Sequence, residues 1–477
     1  MSLKKIRAML AGGVFMLGLM GVLGVPVHLD KPVNTPTPIL DAAPTDVPTE
    51  EPTAVPTEES LSVPATQLDP QPAIDWMELL YDRVQTEAVD APAASRLYAY
   101  AGITLYQTVY PGIPGAFSLA GQLQEMPDMP APDDTLQYDW SAAATAAMSV
   151  VLPGILSTDS KGAADTRNAV KLLRDRQLNA RISAVGKDVV DHSVAYGESV
   201  AQAILAWEQT DHYAEIKAES YELPAGDDSY WIPTNPNAPI VEPYWGQIRT
   251  FGLSYADACA VNLNLPFNPD QNSTFYAQAM EVKTVGDNLT QEQKDIALRW
   301  LDTPGQTGAP SGHWVEIEGI VAKKLGLNLD KTAMMYALAN IAVGDAFIST
   351  WSLKYQVLLL RPITYIHKYI DKQWQPFITT PNFPEYPSGH SVASGAAAEV
   401  LTTMFGPVAF TDDSVVKHKL AVRSYTSFWA AANEAGISRL YGGIHYRNAI
   451  EAGLRQGECV GQYIINNVQL RSVPQGE

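Results

Sequence analysis

A chain of 477 residues with 46% apolar content can bury a large core and exceeds the usual single-domain length, although one helical domain of about 400 residues stays within range. A formal net charge of −20 argues against nucleic acid and against anionic membrane surfaces as partners, because both attract basic proteins. The two cysteines, Cys259 and Cys459, are too few for a disulfide framework or a zinc site, and form either one bridge or two buried thiols.

Lys4, Lys5 and Arg7 precede an apolar run from Ala8 to Val27, so residues 1–27 read as a signal peptide or an N-terminal membrane anchor. The expected location is therefore exported: secreted, periplasmic or at the cell surface. Left uncut, a run of about twenty apolar residues would span a bilayer with its basic side cytoplasmic, and that would be the chain's one contact with a membrane. No cysteine follows the run, which argues against a lipid anchor. Residues 28–72 shift to Pro, Thr, Glu, Ala and Val, and Pro44-Thr45, Pro48-Thr49, Pro52-Thr53 and Pro56-Thr57 recur every four residues. Such a segment lacks the apolar content for a core and reads as a disordered linker.

Residues 73–477 read as one helical domain. Ile74, Met77, Leu80, Tyr81 and Val84 share a helix face, and Asp90 caps a second helix that carries Pro92 in its first turn and runs to about Val109. Further helices are expected over 141–151, 164–179 and 186–207. Residues 223–251 differ: Pro233, Pro236, Pro239 and Pro243 with Trp231 and Trp245 make an irregular arm that lies over the helices. Thr290 and Gln293 spell a capping box for a helix through Trp300. Asp330 caps a long helix over 331–360, which Pro362 then breaks. Residues 414–435 read as another helix, with Tyr425 and Trp429 as core on one face. Strand-like alternation is nearly absent, so the fold class is all-α, a helical bundle with an irregular Pro-rich arm.

Chemistry concentrates at Pro387-Ser388-Gly389-His390, read as the entry to a helix that Gly406-Pro407 ends. Free N–H groups and the positive end of the helix dipole would face one spot suited to an anion, with His390 on the first turn to trade a proton. The tetrapeptide alone is weak evidence, since a serine N-cap beside a surface histidine explains it too and Pro310-Ser311-Gly312-His313 repeats it. The surroundings separate the two copies. Lys354 and Arg361 are seven residues apart, close to two helical turns, so both cations are expected on one helix face. Downstream, Arg439 and His445 add a third cation and a second histidine. Three cations, a serine hydroxyl, helix-start amides and two histidines suit a tetrahedral oxyanion.

On these residues the chain resembles the vanadium-dependent haloperoxidases and the type 2 phosphatidic acid phosphatase superfamily, which includes bacterial acid phosphatases. The family blocks Lys-x6-Arg-Pro, Pro-Ser-Gly-His and Ser-Arg-x5-His occur here in order, at Lys354 to Pro362, Pro387 to His390 and Ser438 to His445. The wider resemblance, from about Pro72 onward, is to the exported bacterial haloperoxidase branch and its double four-helix-bundle fold. It implies that Lys354, Arg361, Ser388, Gly389 and Arg439 hold the oxygens of vanadate, that His445 ligates vanadium, and that His390 is the acid/base. Lys354 would also polarise bound peroxide. Hydrogen peroxide, halide and a small organic acceptor are the implied substrates; hypohalous acid is the product, and vanadium keeps its oxidation state. Trp351 and Phe383 match positions bordering the halide site, where bromide-oxidising algal members carry a histidine in place of Phe383; plain core packing explains the pair equally well. Members of this kind often pair, which implies a homodimer by analogy.

The same pocket suits phosphoester hydrolysis, with phosphate in place of vanadate, His445 attacking phosphorus and His390 protonating the leaving alcohol. A third reading is a non-catalytic oxyanion-binding homologue. One departure bears on all three: the phosphatase pattern, and many haloperoxidases, place an aspartate four residues after the second histidine, where this chain has Ala449. That aspartate would fix the imidazole tautomer, and Asn448 offers only a weaker contact pointing elsewhere. His28, His192, His212, His313, His367 and His418 make no metal-ligand spacing and are expected in surface or structural roles. Asp345, on the helix face opposite Lys354, is expected to pair with another helix.

Overall fold

The computed structural model describes residues 62–156 and 162–471, so the expected signal segment and most of the linker lie outside the described residues. The linker reading to residue 72 is too long: a 3-10 turn at Ala65–Gln67 buries Ala65 and Leu68 against the helical body. Fourteen α-helices follow among the described residues: α1 (Gln71–Thr86), α2 (Ala91–Val109), α3 (Trp140–Ile155), α4 (Ala163–Val185), α5 (Lys187–Glu208), α6 (Tyr213–Lys217), α7 (Thr274–Asp287), α8 (Gln291–Arg299), α9 (Ala309–Leu325), α10 (Leu329–Val357), α11 (Pro362–Tyr369), α12 (Gly389–Phe405), α13 (Phe428–Tyr441) and α14 (Arg447–Asn467). The only strands among those residues, β1 (Phe410–Asp412) and β2 (Arg423–Tyr425), pair antiparallel, so the class is all-α.

Local chemistry sets the ends of these helices. The Asp90 carboxylate accepts the Ala93 N–H at 3.0 Å at the start of α2, and Thr290 with Gln293 closes the capping box of α8. Two ends fall elsewhere than the sequence reading placed them. Asn328 rather than Asp330 is the N-cap of α10, and the helix stops at Val357 because Leu358 turns left-handed at φ 51°. Pro362 does not break that helix; it occupies the first turn of α11, where its missing N–H costs nothing. The single helix expected over 414–435 is absent. In its place a 3-10 turn at Ser414–His418, β2 and then α13 follow one another, so Tyr425 and Trp429 do not share a helix face.

Helix α2 packs on α3, α5, α9 and α10, while α12 packs on α10, α13 and α14, so α10 joins the two groups. Helix α10 is long and apolar enough to cross a membrane, but 94% of its apolar window is buried in the protein, the signature of a core helix. The small-residue run after His390 lets α12 and α14 approach closely. A Cβ at Gly457 would lie 2.2 Å from the Val392 carbonyl oxygen, and one at Gly453 would lie 2.8 Å from that of Ser388. The contact therefore fixes the start of α12 against the start of α14.

The arm over 223–251 is irregular, as expected, and it is tied down at both ends. Trp231 N–H donates to the Leu358 carbonyl at 2.7 Å. At the far end, Asp345 does not pair with another helix: its buried carboxylate accepts the N–H groups of Phe251, Gly252 and Leu253 at 2.6, 2.8 and 2.7 Å. The choice between bridge and thiols resolves to a Cys259–Cys459 disulfide, which links the segment after the arm to α14.

Candidate active site

Four helix ends meet at one place: the C-terminus of α10, the N-termini of α11 and α12, and the C-terminus of α13, with the turn into α14 alongside. Ser388 is the N-cap of α12, and its hydroxyl takes the Ser391 hydroxyl at 2.9 Å and the Ser391 N–H at 3.4 Å. In the first turn, the N–H groups of Gly389 and His390 have no intrahelical acceptor, so the helix presents them as donors. Gly389 also makes room, since a Cβ there would sit 3.4 Å from the Trp351 ring.

Lys354, Arg361 and Arg439 do converge, though not along one helix face. The chain leaves α10 at Leu358 and Arg361 becomes the N-cap of α11, so the pair meets through a bend rather than a helical ladder. All three cations are buried. Lys354 Nζ donates to the carbonyls of Pro384 and Glu385 at 3.0 and 2.9 Å and to that of Pro387, so its three N–H bonds are taken and its charge is what it offers the pocket. Arg361 reaches the Phe383 carbonyl at 2.9 Å, the Ile444 carbonyl at 2.9 Å and His445 Nε2 at 3.1 Å, while its Nη2 is buried without a partner. Arg439 donates to Ser438 Oγ at 2.9 Å and Ala297 O at 3.3 Å. Burial lowers the pKa of both arginines to about 10, and burial with the nearby Arg361 charge pushes Lys354 well below its ordinary value.

The carboxylate that the sequence pattern lacks at position 449 comes from a residue the sequence did not single out. Glu385, fully buried, sets Oε1 2.8 Å from His445 Nδ1 and accepts the Tyr446 N–H at 2.9 Å. Burial pushes Glu385 up to about 7 against the pull of Arg361 and Lys354, and burial beside those two cations holds His445 well below the usual histidine range. Asn448 plays no part here; its backbone N–H goes to Gln278 Oε1 at 3.0 Å. No spacing rule would have found Glu385, which is 60 residues from its histidine.

His390 faces Asp302, Nε2 to Oδ2 at 3.5 Å, and burial together with Arg439 lowers its pKa to about 4. Behind it lies the first Pro-Ser-Gly-His copy. His313 sits at the start of the second turn of α9 with Nδ1 3.4 Å from Asp302 and Nε2 3.0 Å from Asp412, stacked on Trp300 at 4.2 Å. Burial opposes its charge, yet the carboxylates of Asp302 and Asp412 outweigh burial and raise His313 to about 10. The structural role expected for His313 holds, but its place is directly behind the acid/base candidate. His418, expected in a surface or structural role, is half-buried with Nε2 3.0 Å from the Tyr81 hydroxyl.

His390, Arg439, His445 and Gly389 line one cavity of about 650 Å³, walled by Trp351, Phe347, Phe377 and Phe383 and by arm residues Asn235, Pro239 and Val241. Trp351 and Phe383 pack at 5.0 Å between ring centroids, and Trp351 Nε1–H donates to the Val241 carbonyl at 3.2 Å. Asn382 donates to the carbonyls of Ala238 and Pro239 at 2.9 and 3.1 Å, so the arm forms part of the cavity rim. The three buried cations stand near the Glu385 and Asp302 carboxyls, and Arg361 Nη2 is left without a hydrogen-bond partner. That donor set fits a tetrahedral oxyanion, with His445 Nε2 as a nitrogen ligand. Among the described residues no cluster of His, Cys, Asp and Glu could hold a metal cation.

Residues 334–472 match the family model of the VCPO second helical-bundle domain. A bacterial vanadium-dependent iodoperoxidase of solved structure is 34% identical, with 86% of this chain and 99% of that chain covered and a TM-score of 0.79. Two bacterial vanadium-dependent chloroperoxidase structures share the fold: an apo form at 15% identity, 80% and 93% coverage and TM-score 0.59, and a holo form at 14%, 85% and 93% and 0.54. No curated protein matches the chain.

Proposed function

Because the chain belongs to the vanadium haloperoxidase family, we propose that it is a vanadium-dependent haloperoxidase, which uses hydrogen peroxide to oxidise a halide to hypohalous acid and so halogenates organic acceptors. The observation that carries this reading is that Gly389, His390, Arg439 and His445 line one cavity, with Arg361 Nη1 3.1 Å from His445 Nε2 and Lys354 bonded to the Glu385 and Pro387 carbonyls just before the Ser388 N-cap of α12. The 34% identity to an iodoperoxidase makes iodide the first halide to test. By the N-terminal sequence the protein is exported.

Vanadate, when bound, supplies the activation of peroxide toward a halide nucleophile. The chain's own residues do the rest. Arg361, Arg439 and the amides at the start of α12 neutralise and orient the anion, Lys354 supplies charge from behind, and His445 offers its Nε2 lone pair. His390, neutral above about pH 4, takes a proton from the incoming peroxide and returns it to the departing oxygen. In sum, halide, hydrogen peroxide and one proton give hypohalous acid and water. Trp351 and Phe383 make an apolar wall that sheds water from a weakly hydrated halide.

The test is triiodide formation, then bromination of a dimedone-type acceptor, by purified protein after chelation and again with orthovanadate. Activity that requires vanadate and is competed by phosphate is expected; its absence overturns the reading. A second reading, acid phosphatase, is favoured by one observation: Glu385 gives His445 the orienting carboxylate that a phosphohistidine route needs. Vanadate-inhibited hydrolysis of p-nitrophenyl phosphate without halide oxidation would move the assignment there.

A further inference from the structure

The orientation of His445 rests on a residue outside all three sequence blocks. Glu385 lies three residues before Ser388, in the loop entering α12. Its backbone is anchored on both sides: its N–H donates to the Leu359 carbonyl at 3.0 Å, and its carbonyl accepts from Lys354 Nζ at 2.9 Å. Its side chain is held by the Tyr446 N–H, which donates to Oε1 at 2.9 Å, and the same Oε1 is 2.8 Å from His445 Nδ1. Across the ring, His445 Nε2 is 3.1 Å from Arg361 Nη1.

The two neighbours of the imidazole have opposite hydrogen-bonding character. A guanidinium only donates, so Nε2 must present a lone pair; a carboxylate oxygen accepts, so Nδ1 must carry the hydrogen. One neutral tautomer satisfies both, and it is the one that can bond a metal through Nε2. The position one turn after His445 offers no substitute. Ala449 has no polar side chain, is buried, and uses its carbonyl to accept the Ser388 N–H at 3.1 Å.

We propose that Glu385 is the positioning residue for His445: it fixes the Nδ1–H tautomer and aims Nε2 into the pocket, replacing from the loop before α12 a carboxylate that the helix after His445 lacks. This rests on the reading of His445 as the vanadium ligand. Through the Lys354 contact the same residue ties the cation side of the pocket to the ligand side, so one loop sets both.

The consequence is selective. Vanadate bonded through Nε2 depends on the tautomer, whereas phosphate held by charge alone does not. Equilibrium binding of orthovanadate and orthophosphate to the full chain, by calorimetry and vanadium NMR, is compared for wild type, Glu385→Gln, His445→Ala and the double variant. Glu385→Gln is expected to weaken vanadate about 10–100-fold while phosphate binding stays level or tightens. On the His445→Ala background the same change should no longer weaken vanadate. Equal loss of both anions from Glu385→Gln, tightening of both, or an undiminished vanadate loss without His445 overturns the proposal. Should the Gln variant not fold, nitrogen NMR of wild type decides: a proton on His445 Nδ1 is expected, and one on Nε2 overturns it. If His445→Ala leaves vanadate affinity unchanged, the ligand reading falls and takes the proposal with it. Wild type that binds vanadate through His445 but oxidises no halide overturns the peroxidase reading alone.

Discussion

Asp302 stands between two histidines and divides them into opposite protonation states. His313 is lifted to about 10 because two carboxylates, Asp302 and Asp412, flank it, while His390 is lowered to about 4 because burial and Arg439 outweigh the single contact with Asp302. The sign of the stability effect follows. A histidine raised from 6.5 to about 10 contributes fully below pH 6.5 and loses that contribution as pH rises through about 10. Asp412, lowered from 3.8 to about 2 despite burial, contributes above pH 3.8 and loses it as pH falls through about 2. His313→Gln should therefore cost most between those limits, about 3–5 kcal/mol as for a broken buried pair, with the gap to wild type closing toward pH 10. Chemical denaturation at pH 5.5 and pH 10 checks this. At the front of the same network, His390→Ala should lower halide oxidation about 100- to 10,000-fold while vanadate still binds, measured by calorimetry beside turnover.

Among the elements, the α12–α14 contact is the one on which the pocket depends. Gly457→Ala would drive a methyl into the Val392 carbonyl, so a loss of about 1–3 kcal/mol in thermal stability is expected, with weaker phosphate binding as α12 shifts. Asp345→Ala leaves three buried N–H groups without an acceptor and should loosen the arm, read as faster proteolysis within residues 223–251. Element-level features were legible in the sequence where their causes are local. The caps Asp90, Thr290 and Ser388, and the terminator Gly406, are read from neighbouring residues and fall where expected. The 414–435 stretch misleads because its course is set at long range: Asp412 answers Arg299 and His313, and β2 pairs with β1. The site shows the same division. Its three motif blocks were readable, but the helical ladder drawn between Lys354 and Arg361 failed at Leu358, whose left-handed turn no local residue preference announces. Glu385 is recognisable only once the chain has brought it to His445.

At the scale of the whole molecule, an acidic chain buries three cations close to one cavity, and long-range ties hold that cavity's rim in place. The Cys259–Cys459 bridge spans 200 residues, so it restricts the unfolded chain over a long loop. Replacing both cysteines by serine should cost about 2–5 kcal/mol in thermal unfolding and leave vanadate affinity at room temperature unchanged. On the proposed reading, the motif blocks and the Glu385 loop together build a vanadate site on His445. The most direct measurement is a crystal structure of the protein soaked in orthovanadate. Vanadium is expected bonded to His445 Nε2, its oxygens facing Arg361, Arg439, Ser388 and the Gly389 amide, with Glu385 still on His445 Nδ1. Vanadate bonded to another residue, or held in the cavity without a bond to His445, would contradict that reading.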